Sequence, residues 1–316
     1  MKIYAIITFI VFSLGNYGDV DDTNYNTNDL DSDLAIKDYG QKNPGTIPEL
    51  FAPDYIRSEH RIHSSPTFSP NKNEVYWSVF PRSSDINHKS ETILFSHKVD
   101  NKWSSPKVAS FSGKYADGGP LFSPDGRKLY FYSKRPLNSE TNLETKGEIW
   151  YVEKLVDNWT EPQHIELDCA GEKLFFSISN NYTIYFTSGH GYRGVGTGSV
   201  DIYYARLING SYAKPEKLST DINSKQFVES DPLISLDEKY IIFYSLERPE
   251  NIGQYDLFIS YSLKKNRWTK PINLGEEINE GYSRFPRFSP DEKYIFFVRQ
   301  DGVYWVDSAI IHNVKK

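Results

Sequence analysis

Residues 118–133, GGPLFSPDGRKLYFYS, decide the fold. Residues 120–123 read as a short strand, Pro124-Asp125-Gly126 as a tight turn and residues 129–133 as a second strand, so the unit is a β-hairpin. Proline presets the first turn position, and Asp-Gly tolerates the positive φ that hairpin turns require. In the second strand Leu129 and Phe131 point one way while Tyr130 and Tyr132 point the other. Large side chains on both faces predict a strand buried on both sides.

The unit returns four more times, as SPTFSPNKNEVYWS (65–78), FFSISNNYTIYFTS (175–188), DPLISLDEKYIIFYS (231–245) and FPRFSPDEKYIFFV (285–298). With Phe68, Phe122, Ile178, Ile234 and Phe288 taken as equivalent, the spacings are 54, 56, 56 and 54 residues. A period of this size marks a repeat architecture. Between copies a second pattern recurs: an acidic residue, an aromatic-rich strand, then Trp or Tyr followed three residues later by Pro. It runs through Glu91 with Trp103 and Pro106, Glu148 with Trp159 and Pro162, Asp201 with Tyr212 and Pro215, and Asp256 with Trp268 and Pro271. Each period therefore holds four strands, the content of one propeller blade. The repeated Trp/Tyr series reads as inter-blade packing and the acidic series as hydrogen bonding at strand starts.

The ends complete this pattern. After the fifth hairpin a third strand, residues 303–306, follows, and the chain stops before any Trp-x-x-Pro segment. Residues 46–51, TIPELF, precede the first hairpin where a fourth strand belongs. The expectation is an all-β, closed five-bladed β-propeller whose last blade is completed by the N-terminal strand, with six blades as the alternative count.

The phrases FSPDGRKLYFYSKRP (122–136), GSVDIYYARLINGSYAKPEKLSTDIN (198–223) and RWTKPINLGEEINEGYSRFPRFSPDEKYIFF (267–297) resemble the TolB-type, WD-like β-propeller repeat family. The resemblance spans roughly residues 44–307. The third copy departs most, with Ser179-Asn180-Asn181 for Ser-Pro-Asp and Phe176 for the proline, and the fourth has Leu236 at the turn proline. Relatives of this repeat occur in periplasmic TolB-type proteins and in envelope proteins that join such a propeller to peptidoglycan-binding modules. No additional module is read here, so the resemblance implies the scaffold alone.

The chain has 316 residues, 15% aromatics and a net charge of −6, with 23 Tyr and 19 Phe, a composition suited to many aromatic strands. No basic stripe appears, which argues against nucleic acid as a partner. Residues 1–15 have the form of a secretory signal peptide, with Lys2 and an apolar run from Ile3 to Leu14, and a retained anchor is the competing reading. Residues 16–43 are Asp- and Asn-rich and read as a disordered acidic leader; residues 44–316 form the propeller domain. A periplasmic or extracellular location follows, with no stable membrane span after signal cleavage. Cys169 is the single cysteine, so no intramolecular disulfide forms.

Candidate ligand-binding residues come from the starts of the innermost strands, three places before the aligned proline: His63, Asp117, Lys173, Glu229 and Ser283, with Asp231, Arg284 and Arg287 nearby. Asp117, Glu229 and Asp231 are the candidate catalytic carboxylates of a glycan-active propeller. A polar channel also needs mixed charges simply to be hydrated. Glu59, His60 and His63 suggest a metal, but side chains three apart on an extended segment face opposite ways, so no metal and no cofactor is expected. Residues 189–199, GHGYRGVGTGS, lack the P-loop ending and read as a long hairpin loop whose Tyr192 and Arg193 can contact a partner. The functional expectation is a non-catalytic envelope scaffold that recognises a protein or peptide through the channel mouth and the loops 81–90, 136–147 and 189–199. The alternative is a glycan-binding or glycan-hydrolysing propeller.

Overall fold

The computed structural model describes residues 41–52, 56, 60–80, 90–100, 102–137, 146–156, 158–189 and 200–314. The signal-like segment, nearly all of the leader and most of the three long loops, including Tyr192 and Arg193, lie outside the described residues. No helix among the described residues is long and apolar enough to cross a membrane.

The hairpin turn owes its shape to two side chains more than to glycine. In all five copies a serine hydroxyl donates to the Asx side chain two residues on: Ser69 to Asn71, Ser123 to Asp125, Ser179 to Asn181, Ser235 to Asp237 and Ser289 to Asp291, at 2.7–2.9 Å. The same serine oxygen accepts the backbone N–H that opens the second strand, as from Lys128 at 2.9 Å. The next position is left-handed in every blade, at Lys72, Gly126, Tyr182, Glu238 and Glu292, and only one of these is glycine. The third copy, which lacks the proline, keeps the Ser/Asn pair and so keeps the turn.

Five antiparallel sheets follow in chain order. The second blade shows the plan, with strands Asp117–Phe122, Lys128–Ser133, Glu148–Glu153 and Gln163–His164 paired in sequence from the axis outward. In the fifth blade, Arg284–Phe288, Tyr294–Arg299 and Gly302–Asp307 come from the C-terminal end, and the fourth strand is Glu49–Leu50 from the N-terminal end. Glu49 lies opposite Trp305 and Leu50 opposite Tyr304, and Phe51 N–H donates to Val303 O at 2.8 Å. The blade count is five and the ring is closed as the repeat predicted. Gln41, placed in the leader from sequence, donates to Leu50 O and accepts from Ala52 N–H.

Apolar clusters fill the seams between blades, and the Trp/Tyr of each Trp-x-x-Pro segment enters the seam with the preceding blade. Trp103 packs beside Phe68 against the fifth blade, Trp159 Nε1–H donates to Tyr76 of the first blade at 3.0 Å, and Trp268 lies buried beside Tyr185 and Tyr204 of the third. The fifth blade has no such residue. Its seam with the fourth is filled by Ile310 and Ile311 of the short C-terminal helix Ile310–Asn313, where Tyr261 donates to Ile311 O at 3.0 Å. Burying each isoleucine contributes about 1.5–3 kcal/mol. Ile310 and Ile311 thus do for the last seam what Trp or Tyr does for the others.

Candidate functional site

Innermost strands point their starts at the channel mouth, and four of the five break register there. The pairing slips between Gly118 and Leu121, Leu174 and Phe176, Ser230 and Leu233, and Arg284 and Arg287. At each slip one residue is left-handed: Gly119, Phe175, Asp231 and Phe285, with φ between 39° and 56°. Non-glycine residues held there carry strain of about 1–3 kcal/mol each. These bulges re-aim side chains. Phe175 and Phe285, from the third and fifth blades, meet at a ring-centroid separation of 5.0 Å, and His63 of the first blade lies 5.0 Å from Phe285 and 5.9 Å from Phe175. Contacts between blades that are not neighbours place these rings at the axis. Tyr132, 5.8 Å from Phe175, joins them, so an aromatic plug closes the mouth.

The column read from sequence, whose His63 is part of that plug, is internally satisfied. Asp117 and Glu229 are both fully buried. Asp117 accepts from Arg135 at 2.8 Å and from Ser112 at 3.0 Å, and Glu229 accepts from Arg248 at 2.7 Å and from Ser224 N–H at 3.1 Å. Each arginine also donates to a carbonyl of the segment leading into its blade, Phe111 O or Ile222 O. Lys173 donates to Glu148 at 3.0 Å, His63 Nδ1 lies 2.8 Å from Glu91, and Ser283 donates to Ile278 O. Asp231 accepts from Ser230 Oγ, Arg284 Nε and Phe285 N–H. No two of Asp117, Glu229 and Asp231 share a hydrogen-bond partner here. A glycosidase pair must flank one sugar, whereas Asp117 and Glu229 tie their blades to the leading segments and Asp231 ties the fourth blade to the fifth. The acidic series likewise acts in the framework, with Asp201 bound to Lys217, and Asp256 accepting from Ile252 N–H, Gly253 N–H and Asn273.

Burial raises the Asp117 carboxyl above its ordinary range against the pull of Arg135. Burial likewise pushes Glu229 up to about 7 from 4.5, against the opposing attraction of Arg248. A stability effect follows. Between those two values the folded chain holds a proton that the unfolded chain has released, so stability falls as pH rises through this window. The wild type is expected to lose about 3 kcal/mol relative to Glu229→Gln between pH 4.5 and pH 8, read from urea midpoints. A wild type that gains stability over that range would show the ion pair outweighing burial.

An open site lies elsewhere, in the seam between the second and third blades. A cleft of about 1040 Å³ is lined by Tyr130, Tyr151, Tyr182 and Tyr212, with Arg127, Lys154, Glu166, Asp168 and Lys214 among its charged residues. Here Tyr212 stands where the other segments carry Trp. It packs beside Tyr130 and Tyr151 and fills less of the seam than an indole does. The hairpin of Leu207–Ile208 and Ser211–Tyr212 supplies one wall. Lys128 sits over the Tyr151 ring, 4.1 Å from its centroid. The arrangement offers aromatic faces with hydroxyls and both signs of charge, suited to a polar ligand of peptide size.

Sequence reasoning missed the plug, the two arginines and the cleft. The arginines had a signal: Ser133-Lys-Arg-Pro136 and Ser245-Leu-Glu-Arg-Pro249 both follow the second strand of a blade whose innermost strand starts with an acid. Tyr212 for Trp was the signal for the cleft. The plug had none, because left-handed Phe175 and Phe285 cannot be read from residue type.

No protein-family profile matches the chain, and no curated protein matches it. Among solved structures, a glycoside hydrolase superposes with a TM-score of 0.53 at 9% identity, covering 84% of this chain and 91% of that one. A BT0996 complex with RGII gives 0.54 at 10% identity, with the same 84% and 91%. A protein of Agrobacterium tumefaciens described as a TolB gives 0.48 at 15% identity, over 81% of this chain and 78% of that one. At these identities the likeness is one of fold: the chain is a five-bladed β-propeller.

Proposed function

We propose that this propeller is a non-catalytic binding scaffold of the cell envelope, TolB-type in its repeat, that recognises a protein or peptide through the cleft between its second and third blades. The observation that carries this reading is the contrast between the two sites. Asp117 and Glu229 are buried in ion pairs, whereas the cleft presents the half-buried Tyr151, Tyr182 and Tyr212 together with several charges. Tyrosine-rich, mixed-polarity surfaces are typical of recognition patches. The signal-like start of the chain supports a periplasmic or extracellular location, where such a scaffold would meet envelope proteins. The glycan reading loses its acid pair but keeps the tyrosine faces, so a glycan is the competing ligand for the cleft.

The test is capture from envelope extract with the wild type beside Tyr151→Ala/Arg127→Glu, two changes at the cleft. A stoichiometric protein partner held by the wild type and lost by the variant, with unchanged melting, supports the proposal. A partner held equally by both refutes the cleft as the site.

A further inference from the structure

Toward the hairpin turns the innermost strands enclose a cavity of about 120 Å³ bounded by residues of all five of them. That is well above the ~10–15 Å³ that one water needs. Arg287 lines it and is only 5% exposed. Its Nε has no hydrogen-bond partner, and Nη1 reaches only the Pro286 carbonyl at a long 3.4 Å. Nη2 approaches the backbone at Gly119, where a side chain would begin 4.0 Å away. Asp231 is near enough to act on Arg287 through its charge, but its oxygens already accept from Arg284 Nε, Phe285 N–H and Ser230 Oγ. Glu292, the one carboxylate of the lining, accepts from Leu236 N–H at 2.9 Å and makes no ion pair with Arg287. Burial lowers the guanidinium to about 10, which leaves it charged at neutral pH.

Of the lining hydroxyls, those of Ser123 and Ser289 already donate to Asp125 and Asp291 in their own turns, which leaves those of Thr67 and Ser177. Thr67 Oγ1 accepts Phe122 N–H at 3.2 Å and Ser177 Oγ accepts Ile234 N–H at 2.9 Å, so each has its own O–H left to donate. A buried, unpaired cation costs several kcal/mol, and these hydroxyls face the same cavity. We infer that the central channel holds a small inorganic monovalent anion, halide or nitrate in size, between Arg287 and the hydroxyls of Thr67 and Ser177. The anion neutralises the one channel arginine, among the described residues, that no carboxylate pairs, and it ties the fifth blade to the first and third. This site is independent of the cleft and of the ligand proposed for it.

The test uses the full chain. Crystals soaked in sodium bromide should show an anomalous peak within hydrogen-bonding distance of the Arg287 guanidinium, and Arg287→Met crystals should lack it. In solution the wild type should melt several degrees higher in 200 mM sodium chloride than in 200 mM sodium gluconate, a control of equal ionic strength whose anion is bulky and not spherical. Arg287→Met should melt alike in both. The wild-type arms stand even if that variant does not fold. No bromide in the wild-type channel together with equal melting in the two salts overturns the inference, and so does a peak that persists in Arg287→Met.

Discussion

Deleting residues 44–52 is expected to collapse the stability of the ring, by more than the ~3–5 kcal/mol that Phe→Ala costs in a core. The segment carries the fourth strand of the last blade and Phe51, which is 3% exposed. Phe51 packs edge-on against Phe68 of the first blade, at 6.0 Å, and against Phe296 and Trp305 of the fifth, at 5.0 and 5.1 Å. Its loss opens the edge of the Gly302–Asp307 strand and empties the seam where the first and fifth blades meet. Urea unfolding of this deletion, beside one that removes residues 16–40 alone, measures the effect. Phe51→Ala tests the seam separately and should show the smaller loss. Equal midpoints for the two deletions would mean that the ring does not depend on its closing strand.

Arg135→Ala should be the most costly single change in the charged framework, at about 3–5 kcal/mol. The guanidinium donates from Nη2 to Asp117 and Phe111 O and from Nε to Ser133 Oγ, and it lies 4.9 Å from the Phe131 ring centroid and 5.4 Å from that of Trp150. Removal leaves a fully buried carboxyl without its counter-charge and a carbonyl without a donor. Arg135→Lys should recover only part of the loss, because one ammonium does not reproduce a planar fork with several donors. Urea midpoints of the three proteins decide the matter, and a loss under about 1 kcal/mol for Arg135→Ala would place Asp117 outside the framework.

The architecture was legible because each blade states it locally. Ser-Pro-Asp-Gly sets a turn, the doubled aromatic faces set a strand buried on both sides, and the unfinished fifth copy points to the N-terminal TIPELF segment for its missing strand. The departures were harmless for a physical reason: Ser179 and Asn181 keep the side-chain hydrogen bonds of the turn where the proline is lost. The site was less legible. Aligning residues three places before the proline found Asp117 and Glu229 but not their direction, since the bulge one place before the proline turns Phe175, Asp231 and Phe285 toward the axis instead. Burial also changes what a carboxylate means. From sequence an acid in a channel is a candidate catalyst, whereas with Arg248 at 2.7 Å and no exposure Glu229 is a tie between segments. Arg287 stood in the sequence reading as one of several charges, and only its lack of partners distinguishes it from Arg284.

The channel carboxylates are held to tie the propeller together rather than to act on a substrate. The most direct measurement is hydrolysis of a broad glycan panel by the wild type, Asp117→Asn and Glu229→Gln, each checked for folding by its urea midpoint. No hydrolysis above the buffer rate is expected for any of the three. Hydrolysis by the wild type that disappears in Glu229→Gln, while the variant is fully folded at the assay pH, would contradict that role.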